Sequence, residues 1–399
     1  MYLLENDIIN TNQYGFLQKS NTVAASADLM NVVYTARDNG LKIACIFLDL
    51  SKAFDCISHS ILLRKIRMYG FSESASSLLE TYLEQRPQYT FVNNCYSSSC
   101  VIKSGVPQGS ILGPLLFLIF VNDMLGLPLR GRLQLYADDA CLICEAKTFE
   151  ELEANMQHDL NLLLHWLNSN RLRLNVEKSC YMIVNSTASL DIRVDSIPLK
   201  KVDTTNYLGL VIDSSLSWKN HVDHVIKKIT PYVFAIKKAR PFITEDTGWK
   251  LYNSFILPHL TYMSCLWGCA AEVHLKPLKV LQNRVVKTIC NLPLRFPSIE
   301  LYDEKTLSVD SLCTYNMLLH IHKIRHNLIK SNVRLVQVAA IHAHNTRRHD
   351  AMYVSGPRTT YGYKNIFSRG IIMYNTLPLE MKHLNVRLFK RRLRQHLYN

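Results

Sequence analysis

Two adjacent carboxylates, Asp138 and Asp139, separate two apolar runs of strand length: Leu133-Gln134-Leu135-Tyr136-Ala137 before them and Ala140-Cys141-Leu142-Ile143-Cys144 after. Asp is depleted inside strands and tolerated in tight turns, so the pair is expected at the tip of a β-hairpin. Side-by-side carboxylates repel each other. A hard divalent cation such as Mg²⁺ relieves that repulsion and takes phosphate oxygens at the same time. The chemistry within reach is therefore metal-assisted work on a phosphate. About one Asp-Asp pair arises by chance in a chain of this length, so a third acid and a substrate cradle must be sought elsewhere.

The third acid is Asp49. Ile43-Ala44-Cys45-Ile46-Phe47-Leu48 is a continuous apolar run, the pattern of a strand buried on both faces, and Asp49 ends it. Two readings of Asp49 stand side by side, a metal ligand and a simple helix cap. Between the acidic sites lies Ser104-Gly105-Val106-Pro107-Gln108-Gly109-Ser110, whose Gly and Pro residues make a rigid turn that a ligand can approach closely. Residues 115–121 read as a buried helix, too short to span a membrane.

With these three sites in order, the chain resembles the reverse transcriptases of non-LTR retrotransposons of the LINE type, the Jockey-like group in particular. Phe47-Leu48-Asp49-Leu50-Ser51-Lys52-Ala53-Phe54-Asp55 resembles motif A, Gly105-Val106-Pro107-Gln108-Gly109-Ser110 motif B, and Tyr136-Ala137-Asp138-Asp139 motif C. Trp166-Leu167-Asn168 with Leu172-Arg173-Leu174-Asn175-Val176-Glu177-Lys178 is similar to motif D, and Asn206-Tyr207-Leu208-Gly209-Leu210-Val211-Ile212 to motif E, the primer grip. Leu257-Pro258-His259-Leu260-Thr261-Tyr262 with Leu266-Trp267-Gly268 resembles the thumb of these elements, and Tyr374-Asn375-Thr376-Leu377-Pro378 their C-terminal segment, where Trp commonly replaces Tyr374.

The resemblance implies an RNA-directed DNA polymerase that extends a primer 3′-hydroxyl with dNTPs. Asp49, Asp138 and Asp139, with the Leu50 carbonyl, would hold two Mg²⁺ ions about 3.5–4 Å apart, Mn²⁺ being a substitute. Phe54 stands at the steric-gate position, where a flat ring crowds a ribose 2′-hydroxyl; plain core packing is the alternative. Gln108, Gly109, Tyr136 and Ala137 would line the incoming nucleotide. Lys178 would protonate the leaving pyrophosphate or only screen its charge, and Tyr207, Leu208 and Gly209 would form the primer grip. Implied partners are an RNA template, a DNA primer or target, and dNTPs. Two other readings stand beside this one: a catalytically weak relic that binds nucleic acid, and an RNA-templated RNA polymerase or intron-type maturase.

Composition agrees with a polyanionic partner. The chain carries 399 residues, a net charge of +14 and a pI of about 9.2. Residues 296–399 hold 16 Lys+Arg against 6 Asp+Glu, most of that excess. Arg347, Arg348, Lys390, Arg391, Arg392 and Arg394 are the densest clusters, either a grip on nucleic acid or a solvated helix face. The eleven cysteines follow no disulfide spacing and no signal peptide opens the chain. An intracellular protein of cytoplasm and nucleus is expected, without a membrane partner. Cys141-Leu142-Ile143-Cys144 has no second pair to make a zinc site, and His320, His322, His342 and His344 read as nucleic-acid-facing or exposed.

These residues need a scaffold. The expected fold is α+β: a right-hand polymerase palm with partial fingers over residues 1–212, a helical thumb-like domain over 213–300 and a basic, helical nucleic-acid-binding region over 301–399. A helix is expected at residues 24–37, ended by Asp38-Asn39-Gly40. Val222, Val225, Ile226 and Ile229 fit an amphipathic helix, while Pro231, Pro241, Pro258 and Pro277 should cut that region into short helical pieces. Residues 341–363 read as an irregular connection. Of the fingers, only Gln13-Tyr14-Gly15-Phe16-Leu17-Gln18-Lys19-Ser20 is recognisable, with Leu17 where relatives carry a basic residue. The resemblance thus implies the C-terminal portion of a longer polyprotein, shortened at its fingers.

Overall fold

The apolar run that ends at Asp49 becomes the middle strand of a five-stranded sheet. The computed structural model describes residues 3, 6, 8–84, 86–303, 306–340, 351–354 and 356–398. Two compact units emerge, neither continuous in sequence. The first comprises Met1–Thr22, Lys42–Ile183 and Thr187–Val202; the second comprises Val23–Leu41, Val184–Ser186 and Asp203–Asn399. The expected helix at 24–37 is α1 (Thr22–Asp38). It and residues 203–212 belong to the second unit, so the structure divides the chain elsewhere than at residue 212 and does not separate 213–300 from 301–399.

In the first unit the strands are β1 (Lys42–Asp49), β2 (Arg132–Tyr136), β3 (Asp139–Ala146), β4 (Cys180–Ile183) and β5 (Lys200–Lys201), ordered β5-β4-β1-β3-β2. All neighbours are antiparallel except β5, which runs parallel to β4. Six consecutive residues of β1 are buried, which is why its sequence shows no polar alternation. Ala44, Ile46 and Leu48 share one face with Ala140, Leu142 and Cys144 of β3, and these pack in one core with helical residues. That core draws on α2 (His59–Met68), α3 (Glu73–Leu83), α4 (Leu112–Val121) and α5 (Phe149–Ser169). Each large apolar side chain buried there contributes about 1.5–3 kcal/mol. The run at 115–121 is the body of α4, buried from Leu116 onward.

The second unit is mostly helical, with one hairpin of β6 (Thr204–Tyr207) and β7 (Leu210–Asp213). Here proline misleads. Pro231 lies inside the 21-residue α6 (Lys219–Ala239), and Pro277 inside the 18-residue α7 (Glu272–Ile289). Both prolines stand on the exposed side of their helices, away from the buried stripe. Meanwhile Val222, Val225, Ile229, Val233 and Ile236 keep one buried stripe running past Pro231. Pro241 and Pro258 do open new helical segments. α1 joins this unit through its acids. Asp28 accepts from Ser331 Oγ at 2.7 Å and the Asn332 N–H at 2.8 Å, and Asp38 accepts from the Thr359 N–H and hydroxyl, each at 2.7 Å. Residues 341–350 lie outside the described residues, and the stretch read as irregular already turns helical at Thr360–Lys364, capped by the Thr359 side chain. Among the described residues no helix is long and apolar enough to cross a membrane.

His320 and His322 are not exposed. Both sit buried on α8 (Val309–Arg325), whose apolar neighbours draw the whole turn inward. The Leu384 carbonyl can only accept, so His322 Nε2–H donates to it at 3.1 Å, and Nδ1 accepts from the Tyr374 hydroxyl at 2.8 Å. The ring also stacks face to face on Phe389 of α10 (Val386–Tyr398), centroids 3.7 Å apart; α9 (Ile366–Thr376) carries Tyr374. Burial lowers the pKa of both imidazoles to about 4. The unfolded chain therefore gains protons that the folded rings refuse as pH falls below about 6.5. Stability should drop by about 1.4 kcal/mol per pH unit for each ring until about 4. Urea midpoints of the native chain and of His322→Gln at pH 7 and pH 5 check this: the variant should lose less on acidification, and an equal loss refutes the assignment.

Candidate active site

The Asp-Asp pair does cap a hairpin. Tyr136 pairs with Asp139, leaving Ala137 and Asp138 as the two turn residues between β2 and β3. Ala137 holds φ +55°, a region that few non-glycine residues occupy. On the other side of β3 the register sets Asp49 directly opposite Asp139. Cβ atoms of such cross-strand pairs lie about 4.5–5.5 Å apart, and like charges there destabilise. The Asp139 carboxyl accordingly has a raised pKa, first through partial burial and then through the charges of Asp138 and Asp49.

The motif D stretch laces onto the end of β1. The Asn175 N–H donates to the Asp49 carbonyl and the Ser51 N–H to the Arg173 carbonyl, both at 2.9 Å, while the Asp49 N–H donates to Ser179 Oγ at 3.1 Å. Leu50 bridges Leu174 within this ladder. Its bonds use the groups on either side, leaving the Leu50 carbonyl outside it. Lys178 is exposed on the turn before β4. Among the described residues no three His, Cys, Asp or Glu side chains close on one point. The donor set is instead open, all hard oxygen, and burdened with like charge. That suits Mg²⁺, which keeps several waters and shares its shell with substrate phosphates rather than entering an all-protein cage.

Gln13 supports the turn from beneath. Residues 12–14 run beside β2, with Tyr14 N–H donating to the Leu135 carbonyl at 2.8 Å and Leu135 N–H to the Asn12 carbonyl at 2.9 Å. The buried Gln13 Oε1 accepts from the Gly15 N–H at 2.8 Å and from the Ala137 N–H at 3.1 Å. A Cβ on Gly15 would stand 2.3 Å from the Ala137 nitrogen, so only glycine allows this approach.

The glycine-rich turn docks on the loop after Asp49. Gly105 N–H donates to the Ile57 carbonyl at 2.8 Å, Val106 N–H to the Phe54 carbonyl at 2.9 Å, and His59 Nε2–H to the Gly105 carbonyl at 2.7 Å. Gly105 has φ +86° and no room for a Cβ against the Asp55 backbone. Gln108 Nε2 donates to Asp55 Oδ1 at 2.9 Å, and Gly109 is exposed at φ +81°. A cavity of about 620 Å³ opens here, lined by Asp55, His59, Arg86, Gln88, Gly105 and Gln108 among others. Phe54 stacks on Phe117, centroids 4.3 Å apart.

Tyr207, Leu208 and Gly209 lie in the second unit, at the β6–β7 hairpin. Leu208 (φ +50°) and Gly209 (φ +80°) form its two-residue turn, a backbone that twists with the strands. The Tyr262 hydroxyl donates to the Leu208 carbonyl at 2.6 Å. Lys390, Arg391, Arg392 and Arg394 are all exposed on α10, around buried Phe389 and Leu393, with the Arg394 guanidinium lying over the Tyr315 ring of α8 at 5.5 Å. Arg347, Arg348, His342 and His344 lie outside the described residues.

Several supports were missed in the sequence. Gln13, Asp55 and His59 stood in quoted or flanking stretches, yet their roles rest on partners 46 to 124 residues away. Their only local signals are the glycines they serve, Gly15 and Gly105.

Comparison with known proteins bears on this arrangement. The family model described as "Reverse transcriptase (RNA-dependent DNA polymerase)" matches residues 2–212. The "Probable RNA-directed DNA polymerase from transposon BS" of Drosophila melanogaster is 27% identical over 305 residues, covering 73% of this chain and 34% of that protein. The "RNA-directed DNA polymerase from mobile element jockey" of Drosophila funebris is 28% identical over 295 residues, covering 70% and 32%. The chain thus spans about a third of the length of the curated relatives it matches. A solved apo telomerase from Candida tropicalis aligns with TM-score 0.43 at 11% identity, covering 73% of this chain and 48% of that one. With the family model covering more than half of its residues, this chain belongs to the reverse transcriptase family, and its similar relatives are polymerases of Jockey-like non-LTR elements.

Proposed function

We propose that this chain is the RNA-directed DNA polymerase portion of a non-LTR retrotransposon protein, its first unit serving as palm and partial fingers and its second as thumb and basic nucleic-acid-binding region. One observation carries the reading: the β1–β3 register sets Asp49 opposite Asp139, with Asp138 in the adjoining turn. Three acids at one end of the sheet raise the free energy of the fold, and a cationic, phosphate-bearing substrate complex is what relieves them.

The reaction is attack of a primer 3′-hydroxyl oxygen on the α-phosphorus of a dNTP, forming one P–O bond and breaking the α–β bridge to release pyrophosphate. Asp49, Asp138 and Asp139, with the Leu50 carbonyl, would hold divalent Mg²⁺ or Mn²⁺. Such ions, when bound, make the hydroxyl more acidic and neutralise charge on the transferring and leaving phosphates. The chain's own residues do the rest. Gln108, steadied through Asp55, lines the nucleotide with Gly109, Tyr136 and Ala137. Phe54, stacked on Phe117, excludes a ribose 2′-hydroxyl. Lys178 lends a proton or a positive charge to the departing pyrophosphate. The Tyr207–Gly209 turn, fixed by Tyr262, is a rigid rest for the primer, and the basic face of α10 takes phosphates of template or target.

Asp138→Asn with Asp139→Asn should abolish Mg²⁺-dependent extension of a DNA primer on an RNA template while leaving the fold's circular dichroism unchanged. Extension at the native rate overturns the reading. Binding has its own readout: Mg²⁺ should raise the melting temperature of the native chain, and Asp49→Asn should shrink that rise. An RNA that binds yet is never extended points to the relic instead. For the tail, replacing Lys390, Arg391, Arg392 and Arg394 by Ala should flatten the dependence of log affinity for single-stranded RNA on log salt by about 0.7 for each phosphate no longer neutralised. An unchanged slope leaves α10 as a solvated face.

A further inference from the structure

One short segment reaches both the acidic turn and the ring proposed as sugar gate. Residues 12–15 are anchored under the turn through Gln13, and the lack of space at Gly15 keeps the segment there. The next residue, Phe16, leaves this anchor with φ +54°, a conformation that is an outlier for a bulky side chain. The residue is 57% exposed, which is poor use of an aromatic whose task is core packing. It meets Phe54 edge to face, centroids 6.1 Å apart and planes at 88°. Strain concentrated in an exposed aromatic beside reactive groups is the pattern of a functional rather than a packing residue.

We propose that Phe16 is a positioning residue for sugar selection, holding the Phe54 ring where a ribose 2′-hydroxyl would have to sit. The proposal rests on the reading of Phe54 as gate. Stacking on Phe117 fixes the tilt of the Phe54 ring but lets it slide along the shared face. A second ring at a right angle removes that freedom. The anchor also links the two halves of the site, because the segment that carries Phe16 bonds the Ala137 N–H next to Asp138. A change that moves the turn therefore moves the gate.

The test compares incorporation of a single dNTP and the matching rNTP opposite an RNA template, and, for variants that do not turn over, binding of the two nucleotides to the primer–template complex with Ca²⁺ replacing Mg²⁺. Phe54→Ala calibrates the gate. Phe16→Ala should lower the deoxy-to-ribo selectivity ratio roughly threefold to tenfold, the worth of one aromatic pair. Phe16→Leu, which keeps bulk without a ring edge, should fall between. The double variant Phe16→Ala/Phe54→Ala should be no less selective than Phe54→Ala alone, since Phe16 acts through that ring. If Phe54→Ala relaxes selectivity and neither Phe16 variant changes the ratio, Phe16 has no such role. A fully additive double variant overturns it equally. If Phe54→Ala itself leaves the ratio unchanged, the gate reading fails, and the role of Phe16 fails with it.

Discussion

The structure depends on one unfavourable interaction, the meeting of Asp49 and Asp139 across neighbouring strands. Nothing in sheet energetics calls for two carboxylates in register, and the charge of Asp49 adds, after burial and Asp138, to the raised pKa of Asp139. The register runs unbroken along β1, from Lys42 opposite Ala146 to Asp49 opposite Asp139, and Ala44, Ile46 and Leu48 pack in one core with their partners on β3. A core worth many kcal/mol thereby holds together an acidic edge that would otherwise separate. The supporting bonds from Asn175, Ser179 and Gln13 all end on backbone at that edge, so they fix its shape without neutralising its charge.

Legibility in the sequence tracks the range of the cause. The hairpin at Ala137-Asp138, the buried strand before Asp49 and the helix after the glycine turn were readable because strand alternation, apolar runs and turn residues act within a few positions. Pro231 and Pro277 misled because their local cost is real but smaller than the packing of an apolar stripe on either side. His320 and His322 misled because imidazole is amphipathic, and burial was decided by Tyr374, Leu384 and Phe389, distant in sequence. Gln13 is the limiting case: nothing near it in the chain discloses that its amide oxygen will serve Ala137, 124 residues on.

Glycine does related work at two separate places. At Gly15 and at Gly105 a missing side chain lets backbone approach backbone, on Ala137 in one case and Asp55 in the other. Each close approach joins a stretch bearing an acid or the Phe54 ring to a segment that could not otherwise reach it. Rigidity around the open acidic edge thus comes from backbone packed on backbone, which leaves the edge itself free of bulky side chains.

Helix α1 has a consequence for synthesis. Ten of its residues are buried, yet Asp28 waits for Ser331 and Asp38 for Thr359, partners 303 and 321 residues later. At ribosomal speeds of about 5–20 residues per second, that separation is roughly 15–60 s. The Tyr34 hydroxyl of the same helix meets Trp218 Nε1–H sooner, 184 residues on, so the contacts of α1 are completed in stages as the chain lengthens. The second unit can therefore close around α1 only once the segments bearing Ser331 and Thr359 have been made.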